Sequence, residues 1–117
     1  GLTNTLPRVI GEQKAARLFY TGERIEGKTA FEWGLGDLFA EYDKVRETAI
    51  QFASDIAENA PLAVVSVRKK MRVGLAEAVK KATDIENAEQ CWLRQTADHF
   101  EGVQAVQERR PGNFKGC

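Results

Sequence analysis

Glycines and prolines divide this chain into helix-length pieces, and between them apolar residues return at helical rather than strand spacing. Val45, Ala49, Phe52, Ala53 and Ile56 form one such stripe, with Asp43 placed to cap its start. Pro61 suits the first position of the next helix, where its missing N–H does no harm, and that helix runs to about Arg72. Beyond Gly74, the residues Leu75, Ala78, Val79, Ala82, Ile85 and Trp92 recur on one face. Earlier, Gly11 to Tyr20 reads as a helix ended by Gly22, and Lys28 to Trp33 as a short one ended by Gly34, with Leu35 packing back. The last helix begins near Thr96 or Asp98, carries Phe100, Val103 and Val106, and stops at Pro111-Gly112. Alternating strand patterns are nearly absent, and Asp37 to Ala40 is at most a brief extended connection. A mainly α structure is expected.

Composition narrows the function classes. At 117 residues the chain suits a single helical domain, 1–117, able to bury roughly two-thirds of its unfolded surface. Seventeen basic and seventeen acidic side chains cancel, leaving no overall field to hold nucleic acid or anionic lipid. The longest mostly apolar stretch, Ala60 to Val67, falls far short of the ~20 residues that span a bilayer. No signal peptide is recognisable. Cys91 and Cys117 suggest neither a disulfide framework nor metal-site spacing, so a reduced cytoplasmic setting is expected. The run Arg68-Lys69-Lys70-Met71-Arg72 reads as a solvated helix face.

Few residues here have a claim to chemistry. Gly22-Glu23-Arg24-Ile25-Glu26-Gly27-Lys28-Thr29 matches the P-loop pattern, in which backbone N–H groups wrap phosphates while Lys and Thr reach phosphate and magnesium. Its context argues against that use. The preceding residues read as helix instead of a buried strand, two glutamates would repel phosphate, and no later apolar strand ends in Asp. His99 is the only histidine, so neither a histidine-based metal site nor a Ser-His-Asp set can be assembled. Cys91, beside Trp92, reads as a small buried hydrophobe. Glu86 and Glu89 could be helical neighbours, yet nothing builds a desolvated pocket around them, and they read as surface residues. No catalytic residue and no metal ligand is assigned.

One ordered set of short motifs extends along the chain. It comprises Leu6-Pro7-Arg8-x-x-Gly11, Thr21-Gly22-x-Arg24-Ile25, Ala30-x-x-x-Gly34-Leu35, Phe100-x-Gly102, Glu108-Arg109-Arg110-Pro111 and Phe114. In this order and spacing the set resembles the C-terminal part of the crotonase superfamily, the enoyl-CoA hydratase/isomerase group. Gly1-Leu2-Thr3 would match the end of a glycine-rich turn that follows the catalytic half. Two positions depart from the pattern: Leu2 stands where many relatives have a second glycine, and Gly36 where they usually have Val.

The resemblance implies the helical region of an α/β fold whose β-spiral core, oxyanion-hole N–H pair and catalytic glutamates precede Gly1. A start at Gly instead of Met fits a fragment or processed product. The parent would be an enoyl-CoA hydratase or isomerase, and this chain would close the acyl pocket and build a homo-oligomer, a trimer or dimer of trimers. Coenzyme A would enter as part of the substrate, with no separate cofactor. A basic residue in the last helix that reaches a CoA phosphate in several relatives matches Arg109, and an apolar or aromatic neighbour near the adenine matches Val106. Arginine's fork of donors suits phosphate oxygens. Without that ligand, Arg109 would form an ion pair with Glu108 or Glu101. Rival readings are a stand-alone helical interaction module and, behind it, a P-loop nucleotide binder.

Overall fold

A computed structural model describes all of residues 1–117. Its helices are α1 (Leu2–Ile10), α2 (Glu12–Thr21), α3 (Gly27–Glu32), α4 (Val45–Ala57), α5 (Pro61–Met71), α6 (Leu75–Leu93) and α7 (Ala97–Glu108). One 3-10 turn, Tyr42–Lys44, precedes α4, and no strand is present. The mainly α expectation holds.

Local chemistry explains most boundaries. Gly11, at φ 83°, both ends α1 and starts α2, a joint that residues with a Cβ rarely adopt. It lets α2 fold back against α1. At the end of α3, Gly34 N–H donates to the Phe31 carbonyl and Leu35 N–H to the Ala30 carbonyl, both at 2.9 Å, which is the Schellman pairing expected of a left-handed residue there. Pro61 opens α5 as expected. The Thr96 side chain caps α7 by accepting from His99 N–H at 3.2 Å.

Leu2–Ile10 forms a helix with Gly1 at its N-cap, even though Pro7 removes one N–H from its ladder. Two local expectations are corrected. Asp43 does not cap α4, because it lies inside the 3-10 turn and Lys44 takes the cap position without a side-chain bond. Helix α7 ends at Glu108 with Arg109 as its cap, before Pro111 is reached.

Helix α1 is the element that ties distant parts together, lying against both α2 and α6. Glu86 on α6 secures that contact. It accepts from Thr3 N–H at 2.9 Å and from the Thr3 hydroxyl at 2.5 Å. Glu86 is therefore a half-buried anchor and not the freely solvated residue that the sequence suggested.

Elsewhere the helices leave much of their apolar area uncovered. Only Ile10, Ala15 and Ala105 are buried. The accessible surface is 9962 Å², against ~6,300 Å² for a compact monomer and ~18,900 Å² for the extended chain of this mass. The chain thus buries roughly half of its unfolded surface instead of the two-thirds expected of a compact domain. Its radius of gyration, 19.2 Å, compares with about 13 Å for a compact chain of this length. Cys91 is exposed along with most of α6, which corrects the expectation of a buried thiol.

Candidate functional site

At the end of α7, the segment 110–117 folds back along the helix. Arg109 adopts φ 54°, ψ 39° and is the only non-glycine residue with positive φ. Arg109 N–H donates to the Val106 carbonyl at 3.3 Å and Arg110 N–H to the Ala105 carbonyl at 3.0 Å. This is the same Schellman reversal that Gly34 makes after α3, with arginine in the glycine position. A left-handed arginine costs ~1–2 kcal/mol relative to glycine.

The Arg109 side chain is exposed and makes no hydrogen bond or ion pair within the chain. Val106, one turn earlier, is 79% exposed. Beside it runs a shallow groove lined by Asp98, His99, Gly102, Val103, Val106 and Gln107. Val103 and Val106 are the apolar residues of that lining, and Arg109 follows it at the end of the helix.

The expected ion pair from Arg109 to Glu108 or Glu101 does not form, because Arg110 occupies both carboxylates. Its Nη1 and Nη2 reach the two Glu101 oxygens at 2.5 and 3.1 Å, and its Nε donates to Glu108 Oε2 at 2.6 Å. Glu101 also accepts from Asn113 N–H at 2.7 Å. Asp98 accepts from Lys115 N–H and Gly116 N–H, each at 2.7 Å. The Arg110 guanidinium first, then the Asn113 N–H, holds the Glu101 carboxyl down to about 2. Arg110 and Gln104 lower Glu108 as well, and Glu101 and Glu108 together push the Arg110 guanidinium up. The Phe114 ring lies where a Cβ on Gly112 would come within 2.4 Å of it, and it would contact a Cβ on Gly102 at 3.5 Å.

Sequence reading missed this clasp of Asp98, Glu101 and Arg110. The signal was available in Phe100-x-Gly102 and Phe114, two motif pieces that meet in space, but nothing in their spacing names the carboxylate partners.

The P-loop pattern has no cradle. Gly22 is the left-handed end of α2, so helix precedes the loop. Glu23 is engaged by Arg17, with Arg17 Nε 2.5 Å from Oε1, and its N–H donates to the Thr21 hydroxyl at 3.2 Å. Lys28 and Thr29 fall in α3, which is only six residues long. His99 is exposed and packs edge-on to Phe100. Glu89 accepts from Trp92 Nε1 at 2.8 Å on the surface of α6. No group of three potential metal ligands is gathered anywhere in the chain. A second apolar groove lies between α4 and α5, lined by Phe52, Ile56, Ala63, Val64, Val67 and Met71, with Arg68 and Arg72 among its lining residues. No helix is long and apolar enough to cross a membrane.

Comparison with known proteins gives one consistent answer. The family model described as enoyl-CoA hydratase/isomerase matches residues 1–117. A crystal structure of enoyl-CoA hydratase from Bacillus anthracis is 34% identical, with a TM-score of 0.61, and the match covers 100% of this chain and 45% of that one. The 2,3-dehydroadipyl-CoA hydratase of Escherichia coli K12 is 32% identical over 99% of this chain and 46% of its own length. The (E)-benzylidenesuccinyl-CoA hydratase of Thauera aromatica is 31% identical over 98% of this chain and 45% of its own. The chain thus spans a little under half the length of these relatives.

Proposed function

Because the chain belongs to the enoyl-CoA hydratase/isomerase family, we propose that it is the helical C-terminal region, one domain over 1–117, of a longer enzyme acting on acyl-CoA thioesters. One observation carries this reading. A chain matched to the family from end to end covers about 45% of a solved relative and leaves all but three of its residues at least partly exposed. Helices this open are shaped to lie on something else: the remainder of their own polypeptide and neighbouring subunits.

In the proposed division of labour, residues outside 1–117 hold the thioester carbonyl with two backbone N–H groups and move water and protons with carboxylates. This region closes the acyl pocket, builds a homo-oligomer (a trimer or dimer of trimers) and offers Arg109 to a CoA phosphate, with Val106 beside the adenine. Coenzyme A participates as part of the substrate. The exposed Arg109 and its apolar neighbour support this assignment. The proposed compartment is the cytoplasm.

The test is crotonyl-CoA hydration, measured for the full-length polypeptide and for residues 1–117 alone. Turnover is expected from the former and none from the latter. Turnover by 1–117 that disappears in Glu86→Gln or Glu89→Gln would place an active site within this chain and overturn the reading. A full-length product without any acyl-CoA activity would favour a stand-alone helical interaction module.

A further inference from the structure

Every acid on α7 is already engaged. Asp98 holds two tail N–H groups, Glu101 holds Arg110 and Asn113 N–H, and Glu108 holds Arg110 and Gln104. Arg109 is adjacent in sequence to the one residue that neutralises both Glu101 and Glu108, yet it makes no ion pair itself. The left-handed turn at Arg109 separates the two arginines: Arg110 returns along α7 while Arg109 stays exposed.

We infer that Arg110 is a positioning residue that guards Arg109, occupying the two carboxylates that would otherwise compete with a ligand phosphate for its guanidinium. The inference rests on the reading of Arg109 as a CoA-phosphate contact and adds to it the reason that contact is available. Carboxylate and phosphate bind the same fork of donors, so a carboxylate tethered within one or two turns has the advantage of high effective concentration. Removing Arg110 frees Glu101 and Glu108 together, the two acids of α7 nearest to Arg109 in sequence. The role is electrostatic: keeping a positive charge at 110 preserves it, and removing the competing acids makes it unnecessary.

The test measures CoA binding to the full-length polypeptide by calorimetry at low salt, with pantetheine, which lacks phosphate, as the control probe. Arg109→Gln is expected to weaken CoA about tenfold. Arg110→Gln is expected to weaken it about three- to fivefold, while Arg110→Lys stays within about twofold of the parent. The triple variant Glu101→Gln, Glu108→Gln, Arg110→Gln is expected to return to within about twofold of the parent, since no competitor remains. Pantetheine should bind all variants alike. Unchanged CoA affinity in Arg110→Gln overturns the guard. Equal weakening in Arg110→Gln and the triple variant also overturns it, because Arg110 would then act through the fold and not through the acids. If Arg109→Gln leaves CoA binding unchanged, the phosphate contact itself fails, a separate outcome from either of these.

Discussion

Isolated from any further polypeptide, residues 1–117 should self-associate, and a charge placed in the groove between α4 and α5 should reverse this. The chain exposes ~3,600 Å² more than a compact monomer of its mass, whereas one standard interface takes ~800 Å² from each partner. Area is therefore ample for a second copy. Phe52 lines the groove and is 43% exposed. With ~200 Å² on a Phe side chain, it has ~85 Å² left to bury, worth about 2 kcal/mol at ~25 cal/mol per Å². Phe52→Asp forfeits that amount and adds the cost of desolvating a carboxylate. The dissociation constant should rise at least ~30-fold. Light scattering coupled to size exclusion at micromolar concentration reads the result. The parent chain should elute at a multiple of 13.0 kDa, and the variant should shift toward that mass. A parent chain that is already monomeric and unfolds cooperatively would show that it buries these faces internally, refuting the argument from exposed area. An oligomer untouched by Phe52→Asp would move the contact to another face.

Further outcomes follow from the turn and the clasp. Arg109→Gly should raise thermal stability by about 1 kcal/mol, by relieving the left-handed arginine, while weakening CoA binding; a lower melting temperature would contradict the strain argument. Glu101 has its carboxyl lowered from 4.5 to about 2 in the folded chain. It therefore contributes stability above its unfolded value, and that contribution is lost as pH falls from about 4.5 through about 2. NMR titration of the Glu101 carboxyl should show the depressed midpoint, and Glu101→Gln should remove its share of the acid sensitivity. Thr96→Ala should cost about 1 kcal/mol through loss of the cap on His99 N–H, visible as a lower urea midpoint. Lys28→Ala should leave ATP affinity negligible by calorimetry; magnesium-dependent binding in the parent that vanishes in this variant would restore the P-loop reading.

What the sequence determined by itself was everything governed by a few consecutive residues. Gly22 and Gly34 ended helices and Pro61 opened one, because these depend on a residue's own φ preference. The start of α7, near Thr96 or Asp98 from sequence, was settled by the Thr96 hydroxyl accepting from His99 N–H. The helical class followed from apolar spacing, and the family from motif order. The position of Arg109 near the end of α7 was equally legible, but its freedom was not. Whether Glu101 pairs with Arg109 or Arg110 depends on the direction the chain takes after a left-handed residue, and that direction depends on Phe114 and three tail N–H groups meeting α7. Glu86 likewise looked like surface until α1 docked on α6 and brought Thr3 to it. The open, half-buried packing was the least legible feature. An apolar stripe shows that a helix face is to be covered, and only the tertiary arrangement shows that this chain does not cover it itself.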